Sequence, residues 1–136
     1  MRRHCIQGIA IRSITLLWVM AACSRATTAS PAIADQQVTL ASGEAAIIAG
    51  ASVRVVAIQD SRCPSDVVCI TAGDVFMIFA FSGSGEARTD TLRLMATPKA
   101  STYGGLVFQP TTVLPYPDTR ANGTTKAVTL HVVTAP

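Results

Sequence analysis

Two cysteines six positions apart stand in the least generic stretch of this chain, Asp60-Ser61-Arg62-Cys63-Pro64-Ser65-Asp66-Val67-Val68-Cys69-Ile70-Thr71-Ala72-Gly73. A redox-active dithiol normally spaces its thiols as Cys-x-x-Cys at a helix start, where the thiolate is stabilised, and this spacing does not fit. A structural zinc ion takes four ligands, mostly Cys and His. Only Cys63, Cys69 and His131 are on offer in the body of the chain, so a carboxylate would have to complete the set. Calcium takes oxygen ligands, but Asp60, Asp66 and Asp74 lack the alternating spacing of a calcium loop and read as solvated turn aspartates. No metal and no other cofactor is expected.

Catalysis by side chains alone needs a nucleophile with a positioned base. His131 falls on the polar face of a strand pattern, and nothing around Ser82 or Ser101 resembles a nucleophile elbow. Glu44 and Glu86 adjoin turns without the spacing of a working carboxylate pair, and no glycine loop is arranged to cradle a phosphate. The chain is read as a non-enzyme.

The elements that position these residues are strands. Residues 38–136 are rich in Val, Ile, Thr and Phe and are interrupted at short intervals by Gly, Pro, Asp and Ser. No long stretch shows apolar residues returning at helical spacing. Strands are expected over Val38–Leu40, Ala45–Ile48, Ser52–Ile58, Val75–Phe81, Arg88–Met95, Leu106–Gln109 and Thr125–Val133, with a brief one over Thr112–Leu114. Val53 and Val55 share one face, as do Val128, Leu130 and Val132, while Leu92 and Leu94 point inward. Val75–Phe81 is apolar on both faces and belongs at the centre of a sheet. Ser82–Gly85 reads as a hairpin turn and Asn122-Gly123 as another. Seven to eight short strands with one disulfide describe an all-β domain, a small β-sandwich with a partly open barrel as the alternative.

Composition bounds the setting. Hydrophobic residues make up 49% of the 136 and charged residues 14%, and the formal charge is +3. Three of the basic residues, Arg2, Arg3 and Arg12, lie at the very start, and from residue 24 onward eight basic side chains face eight acidic ones. A neutral body lacks the basic face that phosphate neutralisation needs, so nucleic acid is not an expected partner.

Residues 1–22 read as a signal peptide, with Arg2, Arg3, His4 and Arg12 ahead of the apolar run Ser13–Ala22. Val19-Met20-Ala21-Ala22-Cys23 resembles the lipobox of bacterial lipoproteins, with Met20 where Leu is common. The resemblance implies lipidation of Cys23, and Ser24 beside it implies the outer membrane facing the periplasm rather than inner-membrane retention. The alternative is an ordinary cut after Ala34, which would leave a soluble periplasmic or secreted protein. Residues 23–37, poor in charge and rich in Ala, Ser and Thr, read as a tether. Cys5 leaves with the leader, and with Cys23 acylated the remaining pair is even, so an oxidising compartment closes Cys63 onto Cys69. A loop of this size contributes roughly 2.4 kcal/mol on the chain-entropy account. Asp60, Arg62, Pro64 and Gly73 are read as residues that shape the braced loop, Asp60 and Arg62 by pairing with each other or with loop backbone.

Asp60–Pro64, Cys69 and Ala72-Gly73 also resemble a family of small bacterial secreted proteins and lipoproteins that share an Asp-Ser-Arg-Cys-Pro stretch, a second cysteine and a following Ala-Gly pair. Leu114-Pro115-Tyr116-Pro117 is similar to that family's tail, while Thr71 stands where relatives often carry Trp. The resemblance implies an exported β domain and no particular chemistry. The expected function is a non-catalytic envelope lipoprotein module, held at the membrane by its lipid and binding an envelope protein or wall component or serving structure. Tyr103 and Tyr116 are candidate contact residues. The alternative is an inhibitor of a protease or other enzyme, acting through loop 64–68.

Intact mass of the mature protein checks the leader and the brace together. The expected mass starts at an acylated Cys23 and rises by about two units on reduction; a chain starting at Asp35 replaces the anchored form with the soluble one.

Overall fold

The structure is a computed structural model and describes residues 35–120 and 123–136. The signal peptide, Cys23, the Ala34 cut site, most of the tether and the Asn122 half of the expected turn lie outside the described residues. Eight strands follow in order: β1 (Gln36–Ala41), β2 (Ala45–Ile48), β3 (Ala51–Asp60), β4 (Val75–Ser82), β5 (Arg88–Arg93), β6 (Ser101–Tyr103), β7 (Leu106–Leu114) and β8 (Ala127–Thr134). They form two antiparallel four-stranded sheets, β1-β8-β7-β6 and β2-β3-β4-β5, closing a β-sandwich with no helix among the described residues. The chain changes sheet twice, from β1 to β2 and from β5 to β6.

Period-two alternation decides which side chains enter the core. Val53 and Val55 of β3 and Val128, Leu130 and Val132 of β8 are buried, as their patterns predict. In β4, Val75, Met77, Phe79 and Phe81 point inward, and the half-buried Phe76, Ile78 and Ala80 lie on the other face between β3 and β5. Leu92 is buried, whereas Leu94 lies just past the end of β5 and only packs against the core. Phe81 is the aromatic hub, with ring centroids 5.1 Å from Phe108 and 5.3 Å from Tyr103. A fully buried side chain of this kind stabilises by about 1.5–3 kcal/mol through area removed from water.

Two expectations on the later strands need correction. Ser101–Tyr103 is a strand, too short for periodicity to reveal. The segments 106–109 and 112–114 are one continuous strand, because a bulge between Pro110 and Thr112 absorbs the irregularity. Pro110 is tolerated there because β6 pairs only with Leu106, Val107 and Phe108; beyond that point one side of β7 is an edge.

The sandwich has two distinct poles. β3 and β7 run toward the same one, where Asp60 and Leu114 end their strands and Ala127 begins β8. At the other pole lie the β2–β3, β4–β5 and β6–β7 turns, together with Gln36, which pairs with Val132 where the chain enters β1. The β2–β3 connection is the two-residue turn Ala49-Gly50, with φ of 46° and 83°. A two-residue turn with both φ values positive has the backbone of type I′, which matches strand twist and favours Asn-Gly.

Ala49 therefore carries a left-handed conformation that an alanine adopts at a cost of about 1–2 kcal/mol. Ala49→Asn is expected to stabilise the domain by about 0.5–1 kcal/mol, read as a higher denaturant midpoint at unchanged slope.

Candidate functional site

The β3–β4 connection holds the cysteine motif. Ser61 N–H donates to Asp74 O at 2.9 Å and Cys63 N–H to Ala72 O at 3.0 Å, so the hairpin continues two rungs beyond the strands. Gly73 sits between these rungs at φ +70°, and a Cβ there would lie 1.9 Å from Ser61 O. Only glycine fits that approach. Above the rungs Cys63 and Cys69 form a disulfide with Cα atoms 5.8 Å apart. The thiols are thus committed to each other and are not free to ligate zinc. Among the described residues no three His, Cys, Asp or Glu side chains are grouped to hold a metal ion.

Asp60, at the end of β3, pairs with Arg62 as expected, but as a buried anchor and not as a solvated turn aspartate. Its side chain has 0% exposure. Oδ1 accepts from the Arg62 backbone N–H at 3.1 Å and from Arg62 Nε at 2.8 Å, while Oδ2 accepts from Arg62 Nη2 at 2.7 Å. Lys126 Nζ, just before β8, completes the set at 3.0 Å from Oδ2. Arg62 Nη2 also donates to Val113 O at 2.9 Å, and Lys126 Nζ to Pro115 O at 3.0 Å. One carboxylate thereby ties β3 to β7, to the segment after it and to the start of β8, across both sheets. Burial pushes the Asp60 carboxyl up, but the bonds from Arg62 and Lys126 outweigh that and hold it below the usual carboxylate range.

Asp74 is likewise structural. It is buried and accepts from the amides of Met95 at 2.9 Å and Val75 at 2.7 Å, and from Arg93 Nε at 2.9 Å. Burial raises its pKa, and these bonds reverse the shift and lower it. Asp66 is exposed, as expected of a turn, and its carboxylate accepts from the Thr119 hydroxyl and from Thr119 N–H. Those bonds hold its pKa below the usual range. With Ser65 N–H donating to Pro117 O at 2.9 Å, they fasten the near half of the cysteine loop to residues 117–119.

The two tyrosines part company. Tyr103 is 5% exposed, stacks on Phe81 and donates its hydroxyl to Gly85 O at 3.0 Å. It is core, and its expected role as an exposed contact residue is corrected. Tyr116 is 46% exposed, and the Arg62 guanidinium lies 4.3 Å from its ring centroid. The pair flanks opposite ends of β7, whose nine residues span about 30 Å, so they do not share a patch.

The remaining candidates do not converge. His131 lies on the outer face of β8 with Nε2 2.7 Å from Asp35 Oδ1. Ser101 Oγ donates to Asp90 and accepts from Arg88 Nη2 at 2.9 Å, a bridge between β5 and β6. Glu44 Oε2 accepts from Ala41 N–H at 2.8 Å, in the β1–β2 turn. What the arrangement does present is an apolar finger, residues 64–70. Val68 and Ile70 are 101% and 105% exposed, Val67 is exposed beside them, and Leu114, Tyr116 and Met95 are exposed in the segments bonded to the loop's base. Tyr116 and loop 64–68 are among the expected contact positions; Ile70, Leu114 and Met95 are not, because aliphatic residues in a β-rich chain count as core.

Compared with protein-family models, with curated proteins and with solved structures, the chain shows no match.

Asp60 and Asp74 are both held below their unfolded pKa, so their contribution to stability is full above the usual carboxylate range and is lost as pH falls through the folded values. Chemical denaturation is therefore expected to give flat stability above about pH 5 and a fall below about pH 4. Asp60→Asn is expected to cost about 3 kcal/mol at neutral pH by leaving Arg62 and Lys126 without their anion, and to flatten that acid limb.

Proposed function

We propose that this chain is a non-catalytic envelope lipoprotein module that presents the finger 64–70 to a partner protein. In this reading Cys23 carries the lipid, on the outer membrane facing the periplasm, and residues 23–37 tether the sandwich. The carrying observation is the pairing of Val68 and Ile70, as exposed as in an extended chain, with a loop that is closed by a disulfide and bonded to residues 117–119. Exposed apolar side chains are ordinary when scattered, but clustered on one braced loop they mark a contact surface. Bracing lowers the ordering cost of association.

Within the sandwich, β1 begins at the pole opposite the finger, so the finger's pole is not the one at which the first strand starts. A second reading, inhibition of an enzyme, draws on the same protruding shape, because a stapled convex loop suits insertion into a cleft.

Pull-down from an envelope extract compares the natural chain with Val68→Asp and Ile70→Asp. Both variants are expected to keep stability within about 0.5 kcal/mol, as exposed positions do, and to weaken recovery of a specific partner at least about tenfold, or 1.4 kcal/mol. Equal recovery by all three chains removes the finger as the contact surface, and activity loss in a protease panel selects inhibition.

A further inference from the structure

We infer that the Cys63–Cys69 bridge is a redox-controlled latch: a dithiol reductant opens it and frees Val68–Thr71 while the sandwich stays folded. Its consequence for binding rests on the finger being the contact surface proposed above; the release itself does not.

The bonds in the loop are unevenly distributed. On the near side Ser65 N–H donates to Pro117 O, Asp66 holds Thr119, and Val67 N–H reaches Pro64 O at 3.3 Å. On the far side the next bond joins Ala72 O to Cys63 N–H. Among the described residues no backbone hydrogen bond holds the stretch from Val68 to Thr71, and this stretch carries both fully exposed apolar side chains. Among the described residues the disulfide at Cys69 is the covalent cross-link that fastens this stretch, and no side-chain hydrogen bond is made from it. No residue from 61 to 73 belongs to the hydrophobic core. Beneath the bridge, Ser61 N–H and Oγ bond Asp74 O at 2.9 and 2.8 Å, and the Asp60 network lies below that. Losing the bridge therefore frees the finger's tip and leaves the elements that close the sandwich in place.

Access sets which sulfur is attacked. Cys69 is exposed and Cys63 only half so. A thiolate of the reductant attacks Cys69 Sγ, forming a mixed disulfide while Cys63 leaves as a thiolate and takes up a proton. The reductant's second thiolate then attacks its own mixed-disulfide sulfur, and Cys69 leaves and is protonated in turn. Two electrons pass to the domain, and the reductant ends as a disulfide. A thioredoxin-like exported dithiol is the class of reductant that supplies them.

The test uses the folded full domain with its tether, in buffer without denaturant, treated with dithiothreitol and separately with a thioredoxin-class reductant lacking its second thiol. Expected are a gain of about two mass units and a fall in backbone order parameters for Val68–Thr71 from about 0.85 to below about 0.6. Strands β3, β4, β7 and β8 keep their values. The trapped mixed disulfide is expected on Cys69, and a Cys63→Ser, Cys69→Ser double variant should match the reduced spectrum. Resistance of the bridge in the folded state, loss of the whole β-sheet spectrum on reduction, unchanged order at Val68–Thr71, or trapping on Cys63 overturns the latch. Partner recovery that survives reduction overturns its control of binding. Finger release with no recovery in either redox state supports the latch and counts only against the contact-surface reading.

Discussion

A carboxylate stripped of water is tolerable only where donors replace that water, and Asp60 is placed where both sheets can supply them. Arg62 gives it three hydrogen bonds and Lys126 a fourth, from opposite sides of the sandwich. Two cations against one carboxylate leave a surplus positive charge, and the face of the Tyr116 ring lies over the guanidinium that carries it. Apolar packing between two sheets is weakly directional, since one sheet can slide on another with modest loss of buried area. A buried ion cluster is not, because each displaced donor leaves a charge without a partner. The Asp60 cluster thus gives the two sheets a directional tie at this pole, beside the packing of the core side chains there.

The opposite pole relies on rings, with a partly exposed ion pair beside them. Arg88 and Asp90 of β5 meet Ser101 and Thr102 of β6, and Tyr103 seals the end of the core while its hydroxyl reaches the Gly85 carbonyl. These contacts are partly exposed, and the aromatic trio of Phe81, Tyr103 and Phe108 carries most of the cohesion there. One end of the molecule therefore has a buried ion cluster, and the other has packed rings beside a more exposed ion pair. The loop that projects from the first end stands on a base with little freedom.

Much of this was legible in the chain. Alternation in Ser52–Ile58 and Thr125–Val133, and the two-faced apolarity of Val75–Phe81, place the buried residues correctly because a strand's period of two leaves no freedom about which side chains share a face. The braced cysteine pair followed from spacing and setting. The pairing of Asp60 with Arg62 was legible as well, but the burial of Asp60 and Asp74 was not, since a carboxylate beside a loop has the same local signature whether solvated or buried. What decides between them is Lys126, Arg93 and Met95, distant in sequence and brought close only by the sheet order. Tyr103 misled for a related reason. A tyrosine before two glycines looks like a loop tip until Phe81 and Phe108 are seen beneath it. Loop 64–68 was legible as a presented loop, but the exposure of Ile70 beyond it was hidden, because hydrophobicity reports a preference for burial and not whether the topology provides a site.

The rungs joining Ser61 to Asp74 and Cys63 to Ala72 form a boundary, with Gly73 pressed against Ser61 to make the closure tight. The strands and the buried core lie on one side of it, and the segment between the cysteines lies on the other. Sequence changes within that segment need not disturb the register of β3 and β4, which the rungs below it close. Foldability and the surface of the loop are thereby carried by separate residues.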